Sequence, residues 1–467
     1  MESNETTPLR GPMHDFVSLQ ANPSDEVTRN DILITADSAS TEMEGFANAR
    51  PDVTGAAIKA CKKWLLHPYS GALIMLGWLN YYEDKKSWCA KLQQSFVIMA
   101  YLCIIMTTFI LQFLVCFQRE ILYLNKEVCV SNESIDVDRV CCHNHIVTAF
   151  IVPDFLILTS YLFGIYLFSH AETEYLSKLA EVFTKTAHAT EGKYPKKLIA
   201  TIGAYFLAGI AWIICSLALR LLYLVAFKYW DSDMVVYWNA NLNIAGSTKH
   251  TLIALSIVGF IFMDLVYVAS IINYAIQSEL NVYLLKAISR SVNNKIYSDV
   301  DESCKEVDTA EYNLQVLNGK TATGASLVIF NLSISTIVAF QQLEQFSNSN
   351  GLHPLPHQML GLIVASLNAL LWIAMIVIAF VQASRVTGAG LELKRSAVSR
   401  RSRRFQYTAS QQSDLDSFVL YTQAVKLRAK LFGVPVVPWV MHAAVTVLCF
   451  VLIIVMRMDI YNPFPNV

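Results

Sequence analysis

A chain of 467 residues with 54% apolar and only 16% charged side chains departs from a soluble globular domain, in which roughly 25% of residues are charged. That balance excludes a soluble enzyme with a solvated surface. A formal net charge of −1 supplies no overall basic field for nucleic acid, and the expected class is an all-α, polytopic membrane protein whose constant partner is the lipid bilayer.

Residues 1–56 are rich in Ser, Thr, Asn, Asp and Glu without a sustained apolar period, and read as a disordered tail. The run Trp64–Trp78 is apolar but broken by Pro68 and Gly71. At about 15 residues it is too short to cross a bilayer, so an interfacial or re-entrant helix is expected. Seven apolar stretches then follow: Ser95–Cys116, Ile146–Phe168, Leu198–Phe227, Thr251–Ile276, Thr323–Phe340, Met359–Val381 and Val436–Val455. Each approaches the ~20 helical residues that a crossing needs. The fifth is the shortest and carries Asn331. No apolar run with a basic start and a small-residue cleavage site lies near Met1, so the first span is expected to act as its own targeting signal.

Lys and Arg set the orientation. With the N-terminus inside, its segment carries nine Lys or Arg, the three inside loops carry five, five and ten, and the three outside loops carry five together. The expectation is therefore N-terminus inside and C-terminus outside, in a multi-pass protein of the plasma membrane. A seven-helix transmembrane domain is expected over 57–457 and a short outside tail over 458–467. The inside loops carry helical apolar patterns. Leu176, Leu179, Val182 and Phe183 mark the first. Leu280, Val282, Leu285, Ile288, Val292 and Ile296 carry span four onward for about four turns. In the third, a basic flexible stretch Lys394–Arg404 precedes a helix over Ser413–Phe432, with Ser413 as N-cap and Lys426, Arg428 and Lys430 at its C-terminal dipole. Anchor helices at about 277–321 and 383–435 are thus expected to pack in the cytosol, within one subunit or between subunits.

The outside loop between spans one and two holds Cys129, Cys141 and Cys142, where oxidation is possible, and one disulfide from Cys129 to either of the others is a candidate. It also holds Asn132-Glu-Ser134, a glycosylation acceptor on the correct side. Asn4-Glu-Thr6 and Asn331-Leu-Ser333 match the same pattern in the cytosol and inside a span, and are set aside. Cys141-Cys-His-Asn-His145 lacks the distant ligand pair of a metal site. No phosphate-cradling loop, Cys-x-x-Cys pair or His-Glu-x-x-His is present, so neither cofactor, metal nor catalytic residue is expected, and the protein is read as a non-enzyme. Seven spans invite a G-protein-coupled receptor, but the orientation is opposite, and Asp138-Arg-Val140 sits outside.

Ionisable groups inside spans are expensive and mark candidate sites. Asp154 and Arg220 lie nine and eight residues below the outer ends of spans two and three, about 12–14 Å deep at 1.5 Å per residue. They are read either as an ion pair joining two helices or as polar handles in a ligand cavity. With Phe150, Phe155, Tyr223 and Asn368 they form the candidate ligand pocket, an apolar and aromatic setting with a few polar groups. Asp264 and Asn331 lie nearer the midplane and remain open between packing and function.

The last span, bounded by Gly433 and Pro435, is read as a pore-lining helix. Thr446, Cys449, Phe450, Ile453, Met456 and Arg457 fall near one face of it, where a ring of Phe450 or Ile453 would close a pore by dewetting.

Three features together resemble the insect chemoreceptor superfamily, in its gustatory-receptor-like branch. These are the lead-in Leu66-His-Pro-Tyr-Ser-Gly-Ala-Leu-Ile-Met-Leu-Gly77, seven spans with the N-terminus inside, and the end of span seven. Family members there place Thr-Tyr, five apolar residues and Gln-Phe. Here Cys449-Phe450, Val451–Val455 and Met456-Arg457 occupy that frame, so the hydroxyl, the Gln and the terminal Phe are replaced. The resemblance implies a ligand-gated, non-selective cation channel of chemosensory or developmental use. It implies a homotetramer or heterotetramer with related subunits, anchored by the cytoplasmic helices. Span seven of each subunit would line one pore, and a small-molecule ligand would sit in the outer half among spans two to six. The departures at Met456 and Arg457 leave a non-conducting receptor or scaffold of the same fold as the alternative, with a transporter behind it.

Overall fold

The computed structural model describes residues 67–79, 88–115, 151–168, 193–226, 235–237, 240–242, 246–293, 300–348, 356–402 and 409–437. All of them fall in the unit Ala56–Val467. The N-terminal tail, the outside loop with Asn132 and the three cysteines, the helical pattern expected around Leu176–Phe183, and Phe150 lie outside the described residues. So does the last span beyond Val437, with Thr446, Cys449, Phe450, Ile453, Met456 and Arg457.

A short helix α1 (His67–Met75) leads to α2 (Trp88–Val115), α3 (Val152–Phe168) and α4 (Lys193–Ala226). A small hairpin, β1 (Val235–Tyr237) and β2 (Ala240–Leu242), pairs antiparallel with Val235 opposite Leu242. Next come α5 (Gly246–Asn293) and α6 (Val300–Val316), a π-helical turn over Leu317–Thr321, then α7 (Ala322–Asn348) and α8 (Pro356–Ser402). The chain continues through α9 (Ala409–Ala424) into a second hairpin, β3 (Lys430–Leu431) and β4 (Val434–Pro435).

Among the described residues, five helices are long and apolar enough to cross a membrane, and α3 is a sixth, shorter apolar helix. They coincide with the first six apolar stretches of the sequence. Their contacts fix their relative directions. Thr108 meets Gly259 while Tyr101 meets Phe262, so α2 and α5 run antiparallel. Arg220 meets Asp264 while Gly209 abuts Ile272, so α4 and α5 do too. Phe163 meets Gly324 while the Pro153 carbonyl meets Asn331, which makes α3 and α7 antiparallel. By contrast Glu279 pairs with Arg385 and Ser289 with Ser396, so α5 and α8 run parallel. This alternation is what six successive crossings require.

The helices α5 and α7 form the centre of the bundle, and α2 and α4 its periphery. Phe260, Tyr267, Tyr274, Leu332 and Trp372 are fully buried, whereas Phe96, Met99, Leu207 and Ile214 are exposed. Exposed apolar faces of that extent are what hydrocarbon covers on a membrane helix. The helix α1 is not a surface helix: Leu73, Leu76 and Trp78 are buried, and Tyr161 donates to the Leu76 carbonyl at 2.9 Å. Trp78 lies so close to α3 that a Cβ on Gly164 would come within 2.2 Å of its ring. Small residues of this kind let membrane helices approach.

With 48 and 47 residues, α5 and α8 are each about 70 Å long at 1.5 Å per residue. That is more than twice the ~30 Å hydrocarbon core, so both project well beyond it. The projecting parts bury Leu280, Val282, Leu285, Ile288 and Val292 of α5 against α8, α6 and the π turn.

Two expectations for this region are corrected. The basic stretch beginning at Lys394 is not a flexible loop as far as Ser402; it continues α8. The helix expected over Ser413–Phe432 begins earlier, at Ala409, so Ser413 is inside it rather than its cap, and it ends at Ala424. From Val425 to Leu431 the chain alternates buried apolar with exposed side chains, the period of extended chain. Phe432 and Gly433 then turn it with φ of 54° and 75°, the two positive φ values of a two-residue hairpin loop.

Candidate functional site

Of the residues assigned to a ligand pocket, the structure gives most detail at Arg220. Its Nη2 lies 2.9 Å from Asp264 Oδ2 and donates to Oδ1 at 3.1 Å, and the Ser216 hydroxyl donates to Oδ2 at 2.8 Å. The Arg220 Cζ sits 4.4 Å from the centre of the Phe260 ring. Arg220 is 6% and Asp264 1% exposed. Asp264, left open by the sequence, is thus a carboxylate that faces Arg220.

Helix direction explains why these two meet although they start at different depths. Side chains on a helix lean toward its N-terminus. On antiparallel α4 and α5 the two side chains therefore lean toward each other. The result is a buried ion pair edged by the Phe260 ring rather than a lone cation. Asp154 is buried on α3 and Asn368 is buried on α8. Tyr223 lies in the last turn of α4. Phe155 is 65% exposed, so it is on the outer surface of the bundle and does not line an internal pocket among the described residues. Helical geometry puts it on the opposite side of α3 from buried Pro153 and Ile157.

Asn331, also left open, is a joint between three helices. It is fully buried, and its Nδ2 donates to the Pro153 carbonyl of α3 at 3.0 Å and to the Tyr267 hydroxyl of α5 at 2.5 Å. A buried amide with partners on neighbouring helices is worth on the order of 1 kcal/mol in a membrane. A second cluster joins α4, α5 and α8. Arg385 makes a two-pronged pair with Glu279 at 2.6 and 2.8 Å, and Gln382 and Tyr205 complete it. Glu279 is fully buried, while the Arg385 side chain is 41% exposed.

A small cavity lies between α1, α3, α5 and α7, lined by Trp78, Ser160, Ser270, Asn273, Thr321 and Gly324 among others. It sits toward the other end of the bundle from the expected ligand pocket, and sequence reasoning did not single it out.

The route from the anchor helices to the last span is the other candidate. The extended segment after α9 is held by side chains from three elements. Lys394 of α8 donates to the Gln423 and Val425 carbonyls at 2.9 and 2.7 Å, and so caps the C-terminus of α9. The cation at that helix end is therefore Lys394, in place of Lys426, Arg428 and Lys430. Thr387 of α8 accepts from Ala429 N at 3.1 Å, Asn318 of the π turn bonds Arg428 O and Lys430 N at 2.9 and 2.7 Å, and Ser326 of α7 accepts from Phe432 N at 2.9 Å. No sequence signal marks these single polar residues. The alternation Val425-Lys-Leu-Arg-Ala-Lys-Leu431 was a visible signal for extended chain.

These observations define a polytopic α-helical membrane protein whose long helices extend beyond the bilayer thickness, with an ordered extended segment at 425–437. Solved structures with this fold are the insect olfactory receptor OR5 from Machilis hrabei in complex with eugenol (13% identity, 85% of this chain and 100% of that chain covered, TM-score 0.57) and the same receptor described without a ligand (14% identity, 85% and 98% covered, TM-score 0.51). The resemblance to the insect chemoreceptor superfamily therefore holds at the level of the fold. No protein-family model and no curated protein matches the sequence.

Proposed function

We propose that the chain is a subunit of a ligand-gated, non-selective cation channel that resembles gustatory receptors and responds to a small organic molecule. The observation that carries this reading is the shared fold over the full length of an insect olfactory receptor. That receptor is in complex with eugenol, which supports a small, largely apolar ligand here as well. The Arg220 guanidinium already faces a carboxylate, Asp264, which supports a ligand that brings no charge of its own to that site.

In this reading the N-terminus is inside, the C-terminus outside, and the projecting ends of α5 and α8 with α6 and α9 stand in the cytosol at the plasma membrane. Four subunits associate there, as a homotetramer or with related chains. Leu420, Tyr312, Phe432 and Val434 leave apolar surface exposed on that anchor, which supports contact with neighbouring subunits. The last span lines the pore through Thr446, Cys449, Phe450, Ile453, Met456 and Arg457. The ligand lies among Asp154, Arg220, Tyr223, Asn368 and Phe150, Asn132 carries the glycan, and Cys129 pairs with Cys141 or Cys142.

The test is to express the full chain in a cell line and record currents with eugenol first, then with neutral aromatics and sugars. Ligand-evoked cation current that Ile453→Ala converts to a leak supports the channel. Absence of current for every compound, together with absence of a tetramer in detergent, overturns it.

A further inference from the structure

We infer that Asn318 is a positioning residue for opening and closing, a coupling that ties the start of α7 to the segment carrying the last span. The inference rests on the channel reading above and adds to it a named mechanical link.

The geometry is that of a missing strand. In an extended chain the carbonyl of one residue and the N–H two residues later point to the same side. Arg428 O and Lys430 N are such a pair. Asn318 Nδ2 donates to the first at 2.9 Å and Asn318 Oδ1 accepts from the second at 2.7 Å. One side-chain amide thus does what a neighbouring strand's peptide group would do. A side-chain amide holds a donor and an acceptor side by side at the spacing this pair takes, which a carboxylate or an ammonium does not.

The element that presents Asn318 is unusual as well. It lies in the π turn Leu317–Thr321, where Ala322 N donates to Leu317 O five residues back. Such turns are rare in helices and are retained mostly where function requires them. The same turn is tied to α5, because Thr321 donates to Gln277 Oε1 at 2.8 Å.

On the other side the segment is pressed against α8. A Cβ on Gly390 would come within 2.3 Å of the Leu427 carbonyl. The ten residues from Leu427 to Val436 thus carry contacts to α8, the π turn and α7, and they lead directly into Val437 and the last span. Any rotation or slide of α5, α7 or α8 on ligand binding reaches the last span through these contacts. Asn318 is the one of them that holds the segment by both a donor and an acceptor.

The test uses the full-length chain at the cell surface, with an agonist drawn from eugenol, neutral aromatics and sugars. Asn318→Ala removes both bonds, Asn318→Asp keeps only the acceptor, and Asn318→Gln keeps both on a longer stem. Single-channel open probability at saturating agonist, half-maximal concentration, tetramer size and surface abundance are read together. The expectation is that Asn318→Ala and Asn318→Asp form tetramers but lose maximal open probability by about fivefold, the low end of coupling between sites. Asn318→Gln recovers part of the loss. Unchanged open probability in Asn318→Ala overturns the inference while leaving the channel reading intact. Loss of tetramers in both Asn318→Ala and Asn318→Asp also overturns it, since the residue then serves assembly. A wild-type chain that gives neither current nor a tetramer overturns the channel reading, and the coupling falls with it.

Discussion

Arg220 and Asp264 meet at 2.9 Å across two antiparallel helices, both almost fully withdrawn from solvent. Attraction between buried charges barely offsets their desolvation, whereas removal of one partner leaves the other uncompensated. Asp264→Leu alone is therefore expected to cost about 3–5 kcal/mol. Arg220→Met with Asp264→Leu should cost less than either single change. Thermal unfolding of the detergent-solubilised protein checks this, and a double variant worse than both singles would contradict it.

Another buried carboxylate gives a parallel expectation. Glu279 is fully buried and its two-pronged partner is Arg385. Arg385→Ala should lower stability by about 1–3 kcal/mol, less than for a fully buried pair because the guanidinium is part-exposed, and Arg385→Lys should recover only part of it, because an ammonium cannot bond both oxygens in the plane. The midpoint of thermal unfolding separates the three proteins.

Gly164 is the position where Trp78 passes closest to α3. Gly164→Ala places a methyl about as near as the 2.2 Å that the backbone dictates, so overpacking of roughly 1–3 kcal/mol is expected. Trp78→Leu should reduce that penalty in the double variant by making room. Surface abundance and unfolding midpoints of the single and double variants decide it.

Phe432 occupies the hairpin turn with φ of 54°, a conformation that costs a residue with a Cβ roughly 1 kcal/mol. Its side chain is 49% exposed, so little packing is lost on truncation. Phe432→Gly should leave stability level or raise it, and Phe432→Val should lower it, since a β-branched residue tolerates that φ least. Unfolding of both variants under one buffer tests the sign.

Much of the fold was legible because membrane crossing imposes a single length rule. Five of the six described bundle helices carry long apolar runs whose positions need no tertiary information. Leu280 to Val292 also announced that span four continues, since helical spacing persists there without apolar continuity. The end of α9 was not read correctly. Leu415, Phe418, Val419, Thr422 and Val425 keep helical spacing, and Leu431 happens to prolong it, while the period-two run Val425–Leu431 says the opposite. Where two periods overlap, packing decides. Here Lys394 caps the helix from another element and ends it early. The pairing of Arg220 with Asp264 is hidden for a different reason. Depth counted from span ends puts Arg220 in the outer half and Asp264 nearer the midplane, and the opposed lean of side chains on antiparallel helices closes that gap. The π turn and Asn318 had no sequence signature at all.

The most direct test is electron microscopy of the full-length protein purified in detergent or nanodiscs. The expected result is a fourfold particle in which the helices of Val436–Val455 surround one central axis, Ile453 and Phe450 face it, and the ends of α5, α8 and α9 meet their counterparts outside the bilayer. A monomer, or a tetramer with Val436–Val455 at its lipid-facing rim, would contradict it.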